Sequence, residues 1–234
     1  MTITMQVLQH SCAIGQKSGS CIDLLTKQER DLVDSKSAEV YYRKGEIICK
    51  QGGLANQIMI VREGLVKIYM ESNTGEDLVL QIMPSMNIIG LSALFEGNSV
   101  YQFTAQTYLD TNIQVIETSI VKQLIRSNPE FAIHIVGMLA EYNTIISGRF
   151  FCLTHKQTYG RFSDVILCLA NRIYKDMTFP LQLSRKELAE IAGMSIESVA
   201  RILTRFKEEK LIEIDNKQIR ILDYDRMCEI SFKG

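Results

Sequence analysis

The chain lacks any imbalance of charge: 26 lysines and arginines stand against 27 aspartates and glutamates, a formal net charge of −1. No global positive field marks it as a nucleic-acid binder, so DNA contacts would have to come from local placement of basic side chains. It also lacks an apolar run of the roughly 18 to 20 residues needed to cross a bilayer. Met1 to His10 has neither the basic head nor the long apolar core of an export signal. Together these absences predict a cytoplasmic protein with no membrane partner. The six cysteines, Cys12, Cys21, Cys49, Cys152, Cys168 and Cys228, are too few and too scattered for a secreted disulfide scaffold. No C-x-x-C offers the spacing of a structural zinc site, and no metal is expected. Phosphate loop, nucleophile elbow, H-E-x-x-H and dinucleotide glycine motif are all missing, which argues against an enzyme.

What is present is a globular composition, 46% hydrophobic and 23% charged, over 234 residues. That length predicts one division of the chain. From about Glu39 to Glu117 short apolar runs (Ile47-Ile48, Ile58 to Val61, Leu65 to Met70, Leu78 to Met83, Phe103 to Ala105, Ile113 to Ile116) alternate with turns. This is the spacing of an antiparallel sandwich or barrel, with Gly75 supplying a positive-φ turn between Glu71 and Leu78. Ile22 to Val33 reads as a short amphipathic helix ahead of it.

The pattern changes at Ser119. A short helix to Ser127 ends before Asn128-Pro129, and the proline suits the first turn of a long helix to about Leu153. Its apolar residues predict a homodimer seam of Ile135, Met138, Leu139, Tyr142, Ile145, Ile146 and Phe150, about 23 residues or roughly 34 Å of helix. Another helix follows from Thr158 to about Lys175, with a break at Phe179-Pro180. The expected domains are therefore 1–127, 128–155 and 156–234.

Ser184-Arg185-Lys186-Glu187 has the spacing of a capping box, so a helix starts there and stops at Gly193, where positive φ is needed. Ser195 caps a second helix, Ile196 to about Glu208. Two helices crossing at so short a turn need a small residue at the crossing, and Ala189 supplies it. This is a helix-turn-helix. Glu197 and Arg201 lie four apart near the start of the second helix, the end that enters the major groove. There Arg201 could donate to guanine O6 and N7 and Glu197 accept from cytosine N4, with Ser198 beside them. Ser184, Arg185, Lys186, Arg205, Lys207 and Lys217 are candidate phosphate contacts. Leu211 to Ile214 and Gln218 to Leu222 form a hairpin, making the motif winged. The rival reading is a ligand-binding module whose winged helix docks a protein partner.

An antiparallel roll, a long helix and a winged helix-turn-helix, in that order, resemble the CRP/FNR superfamily of bacterial transcription regulators. The resemblance runs from about Cys21 to Met227 and rests on Lys44-Gly45-Glu46, Gly52, Glu63-Gly64-Leu65-Val66-Lys67, Ile89-Gly90, Leu94-Phe95, Asn128-Pro129-Glu130, Gly160-Arg161 and the Ser184 stretch. It implies an α+β fold: a cyclic-nucleotide-binding-like β-roll, a dimerisation helix and a winged helix-turn-helix. It also implies a homodimer on a palindromic operator in double-stranded DNA, with RNA polymerase as a further partner of any activator. Ile196 to Arg201 looks like the family's Glu-x-x-x-Arg pattern, with Ala200 where the relatives of FNR type carry a serine.

The resemblance places an effector pocket around Gly90, Leu91, Ser92, Tyr101, Gln102, Phe103 and Ser147. Cyclic-AMP-binding relatives carry a glutamate for the ribose where Leu91 stands, and an Arg-Ser pair for the phosphate where Tyr101-Gln102 stand. A buried cyclic phosphate without a cation is costly, so cyclic AMP is not expected. Cys12 and Cys21 occupy the region where oxygen-sensing relatives hold an iron–sulfur cluster, but the spacing differs and a third local thiol is missing. A Cys12–Cys21 redox pair is the alternative, and unpaired thiols are favoured over either. Heme would have only His10, His134 and His155 to draw on, and is not expected.

Overall fold

A computed structural model of the chain describes residues 13–15, 21–73, 77–97 and 99–233. Cys12, His10 and the turn expected at Gly75 lie outside the described residues. The architecture is mixed α+β and divides into two compact units, residues 17–77 with 82–143, and residues 1–16 with 78–81 and 144–234.

The first unit opens with a 3₁₀ turn, Cys21–Leu24, and helix α1, Lys27–Ser35. Thr26 caps α1, its hydroxyl oxygen accepting from the Glu29 N–H while the Glu29 carboxylate accepts from the Thr26 N–H. The expected single helix is thus broken at Leu25-Thr26, because a capping threonine takes extended rather than helical backbone. Eight strands follow: β1 Ser37–Tyr42, β2 Ile47–Cys49, β3 Gln57–Glu63, β4 Leu65–Met70, β5 Leu78–Pro84, β6 Ile88–Ile89, β7 Thr104–Thr107 and β8 Thr111–Glu117. They form two four-stranded sheets, ordered β1-β8-β3-β6 and β2-β7-β4-β5. Gly64 permits the one-residue corner between β3 and β4: its φ is +104°, and a Cβ there would lie 2.3 Å from Thr111 Oγ1.

Helix α2, Thr118–Ser127, and the first half of helix α3, Pro129–His155, complete the polypeptide of this unit. Asn128 sits between them, accepting from the Phe131 N–H through Oδ1 and donating from Nδ2 to Leu24 O and Glu29 Oε2. The sheets close over Ile58, Ile60, Val66, Ile68, Ile113 and Ile116, which α2 covers with Val121 and Leu124.

Helix α3 corrects the expected seam. Phe131, Ile135, Met138 and Tyr142 belong to the core of the first unit, and Ile145 is 1% exposed. The Tyr142 hydroxyl accepts from the Ile88 N–H at 3.0 Å and can donate to Ile88 O. Ile135, Met138, Tyr142 and Ile145 are therefore spent within the chain. The apolar side chains α3 leaves open lie one step round the helix: Val136, Leu139, Ile146 and Phe150, with Ile133 beside them at 72% exposed. Leu139, Ile146 and Phe150 keep their assignment to an outward face.

The second unit begins within α3 and continues with α4, Thr158–Cys168. The helix expected to reach Lys175 does so, but widens into a π turn, Leu169–Tyr174, ended by Lys175 at φ +53°. Strand β9, Thr178–Pro180, precedes α5, Arg185–Ala192, and α6, Ile196–Glu208. The hairpin β10, Ile212–Asp215, and β11, Gln218–Ile221, pairs with β9 in the order β10-β11-β9, and α7, Tyr224–Lys233, ends the chain. A buried ion pair, Lys156 Nζ to Asp164 Oδ2 at 2.6 Å, ties the start of this unit to α4. Ser231 Oγ of α7 donates to the other carboxylate oxygen. No described helix is long and apolar enough to cross a membrane.

Candidate nucleic-acid interface

The interface is built on α5, its turn and α6. Ser184 Oγ accepts from the Glu187 N–H at 3.2 Å and Glu187 Oε2 accepts from the Ser184 N–H at 2.6 Å, the reciprocal box expected from the spacing. Leu188, Ala189, Ile191 and Ala192 point inward. Gly193 ends α5 at φ +62°, and Met194 donates its N–H to Ala189 O at 3.1 Å, closing the turn. A Cβ at Gly193 would lie 2.5 Å from Leu153 Cδ2. The Gly193 carbonyl accepts from Arg161 Nη2 at 3.0 Å, and Arg161 Nη1 also donates to Leu153 O. The turn is thus held from outside as well as by its own backbone.

Ser195 caps α6, accepting from the Ser198 N–H at 3.2 Å. Val199, Ile202, Leu203 and Phe206 face inward, the last against Tyr159 and Phe162. That orientation sends Glu197, Arg201 and Thr204 outward, and all three are exposed. Among the described residues no ion pair joins Glu197 to Arg201, although they stand one turn apart, so both present their polar ends to solvent. The Glu197 carboxyl is held below its ordinary value, first by its own backbone N–H at the helix start and then by Ser195. Ser198 is half-buried, and its hydroxyl accepts from that of Ser195 at 3.2 Å, so the cap occupies it.

Of the candidate phosphate contacts, Arg185, Lys186, Lys207 and Lys217 are exposed. Lys217 stands at the tip of the wing, in a two-residue turn where Asn216 and Lys217 take φ of +45° and +66°. Ser184 keeps a hydroxyl proton to donate beside Arg185. Arg205 is differently engaged: its Nε bonds Glu209 Oε1 at 2.6 Å and its guanidinium lies 4.5 Å from the Tyr159 ring centre. The same Glu209 accepts from the Tyr159 hydroxyl at 2.7 Å. Arg205 therefore braces α6 against α4, a role that charge counting along the sequence could not separate from phosphate contact.

Residues 160–230 match a Crp-like helix-turn-helix domain and residues 39–128 match a cyclic nucleotide-binding domain. The chain belongs to the CRP/FNR family of transcription regulators. It is 25% identical over 230 residues to transcriptional activator protein FnrA of Stutzerimonas stutzeri, covering 95% of this chain and 93% of that one. It is 27% identical over 184 residues to the cAMP-activated global transcriptional regulator CRP of Salmonella typhimurium, covering 76% and 86%. In fold it is similar to FixK2 of Bradyrhizobium japonicum, with a TM-score of 0.75 and 19% identity over 83% of this chain and 96% of that one. A CooA mutant of Carboxydothermus hydrogenoformans gives the same TM-score at 17% identity, covering 92% and 97%. The protein is thus a DNA-binding transcription regulator, and its family is one of regulators rather than enzymes.

A family domain of this kind implies a cyclic nucleotide, and the residues of the roll do not fit one. Gly90 takes φ +91°, and a Cβ there would meet Gln57 O at 3.0 Å and Tyr101 Cε1 at 3.5 Å. Tyr101 is 5% exposed and its hydroxyl donates to Gln57 O at 2.8 Å. Burial pushes its pKa up to about 12. A neutral, hydrogen-bonded phenol therefore fills the place where a cation would meet the phosphate. Leu91 is buried, Gln102 is exposed and bonded back to Val100 O, Phe103 and Ser92 are half-buried, and Ser147 is exposed on α3. An apolar void of about 10 Å³ does lie in this unit, between Cys21, Leu25, Ile58, Ile88, Leu124 and Phe131. It has room for about one water.

Cys21 is a free thiol, 4% exposed, which burial pushes up to about 11. His134 is half-buried with no hydrogen-bond partner on Nε2, and the His155 ring stacks on Phe151 with its Nδ1 2.7 Å from Thr154 Oγ1. Among the described residues no group of three or more His, Cys, Asp or Glu could hold a metal ion.

Proposed function

We propose that the protein is a homodimeric, cytoplasmic regulator that reads a palindromic operator through Glu197 and Arg201 of α6, under control of a small-molecule or redox signal other than cyclic AMP. The observation carrying this reading is that Glu197 and Arg201, one turn apart at the capped end of α6, are exposed and not spent on each other. Arg201 is the bidentate donor to guanine and Glu197 the acceptor for cytosine N4. Arg185, Lys186, Lys207 and Lys217, with the Ser184 hydroxyl, hold the phosphates and set the register. The outward stripe of α3 pairs two chains, which places two copies of α6 against half-sites one helical turn apart, roughly 34 Å. Residues 1–127 carry the signal, 128–155 the pairing and 156–234 the DNA contacts. RNA polymerase would be a further partner if this chain, like FnrA by its name, is an activator.

The test is fluorescence anisotropy on the full chain, with an operator selected from random duplexes and a scrambled control at fixed salt. Arg201→Ala should lose about 10- to 100-fold in operator affinity and keep the weak, salt-dependent binding to the control. Specific affinity that survives Arg201→Ala means other side chains read the bases. A chain that binds neither duplex would favour a winged helix that docks a protein.

A further inference from the structure

Between Ile133 and Thr154 the outward face of α3 exposes no charged side chain, since Glu141 is half-buried and Arg149 is buried. The solvent side of a helix is ordinarily charged or polar, so a side without charge for about six turns is built to be covered. Its open apolar residues step by three and four: Val136 and Leu139, then Ile146 and Phe150, with Leu153 half-buried after them. Position 143 completes that series, and Asn143 occupies it. In heptad terms Val136, Asn143 and Phe150 are a positions, and Leu139, Ile146 and Leu153 are d positions. Asn143 is exposed, and among the described residues its amide makes no hydrogen bond. Asparagine is a weak helix former, so helix stability does not account for it at the midpoint of an apolar row.

We propose that Asn143 is a register pin: its amide bonds the same amide of a second copy across the two-fold axis and selects a parallel, in-register pair. The inference rests on the homodimer reading above and adds its geometry. A two-fold interface sets a residue on the axis against its own copy, and an asparagine amide suits this because it carries both a donor and an acceptor. A slip of one heptad would set each amide against Val136 or Phe150, and a reversed helix would set it against Leu139 or Ile146. Either arrangement buries an amide with no partner, which is costly. Val136 at a with Leu139 at d favours two strands, and a single asparagine at a fixes register and strand number at some loss of stability. Register matters at the DNA end, because one heptad is about 10 Å of helix and the half-sites stand roughly 34 Å apart.

The test uses variants of the full chain at positions 136 and 143, both exposed, so that it reads pairing rather than folding. Val136→Cys is oxidised with diamide, alkylated in denaturant, digested with trypsin and read by mass spectrometry. The tryptic peptide, residues 127–149, holds no native cysteine. A disulfide needs Cα atoms within about 7 Å, so a parallel, in-register pair joins this peptide to its own copy and a slip of one heptad does not. That self-joined peptide is the expected product, and its yield should fall about fivefold when Asn143→Leu is added while the chains still sediment as a dimer. Asn143→Asp keeps the shape of the side chain but sets two carboxylates face to face. In sedimentation velocity it should weaken dimerisation about 10- to 100-fold at neutral pH and recover as pH falls and one carboxyl takes a proton.

A wild type that sediments as a monomer at every concentration overturns the dimer, and the pin with it. A wild-type dimer overturns the pin alone if Asn143→Asp pairs as tightly as the wild type, if Asn143→Leu leaves the cross-link yield unchanged, or if Val136→Cys fails to join its own copy.

Discussion

Glu197 and Gly193 show how much a single position is asked to do at the interface. In the proposed contact Glu197 offers a base only acceptor oxygens while ionised and gains an O–H donor when protonated, and its pKa is held low by its own N–H and the Ser195 hydroxyl. A carboxyl depressed in the folded state contributes stability that is present above its unfolded pKa and lost as pH falls through the folded one. That window lies in the acid range, so the ratio of wild-type to Glu197→Gln operator affinity should stay within about twofold between pH of about 7.5 and 5.5. A ratio that collapses across this range, measured by anisotropy, would mean that a different group titrates at the contact. Gly193 has no such latitude. Gly193→Ala puts a side chain at φ +62° and within 2.5 Å of Leu153 Cδ2, so it should cost about 1–3 kcal/mol in a urea melt. The Ser195 cap and the Gly193 turn were legible beforehand, because a cap spacing and a turn glycine are local chemistry. Arg205 was not, because its partners Glu209 and Tyr159 meet it only once α6 lies on α4.

Helix α3 shows what periodicity can and cannot tell. Its extent was readable, from the proline that starts it to within two residues of its end at His155. Its orientation was not, because it carries two apolar faces and a sequence gives no sign of which meets its own core. The inward set is Phe131, Ile135, Met138, Tyr142 and Ile145; the outward set is Val136, Leu139, Ile146 and Phe150, a near-heptad stripe. The two faces make opposite predictions. Val136→Glu with Ile146→Glu should yield monomers in sedimentation velocity with an unchanged far-ultraviolet spectrum. Met138→Ala should keep the dimer and lower stability by about 2–5 kcal/mol. The reverse pattern would return the seam to the inward set. Shorter elements escaped for a related reason. Strand β9 is three residues ending in proline and gains its identity only from pairing with β11, while α7 follows the wing without a glycine or proline to announce it.

At the scale of the whole molecule, DNA reading was plain in the sequence and the signal was not, and the difference is physical. A helix-turn-helix is about twenty contiguous residues whose caps and turn must be right, whereas a ligand pocket gathers side chains from distant strands and can be refilled without disturbing them. Here the roll is refilled: Tyr101 takes the cation's place and bonds Gln57 O, and Leu91 replaces the acid. A cyclic phosphate entering that space would lose its hydration and meet a phenol that burial keeps neutral. Micromolar affinity needs about 8 kcal/mol of net binding energy, which a buried monoanion without a cation or acid-matched ribose does not reach. Calorimetry of the reduced full chain with cyclic AMP should therefore show no low-micromolar binding, and neither should Tyr101→Phe, which removes the hydroxyl but supplies no charge. A low-micromolar dissociation constant for the wild type would mean that Tyr101 moves out and another cation replaces it. The coupling from roll to α6 would then follow the ligand rather than a redox or non-nucleotide signal.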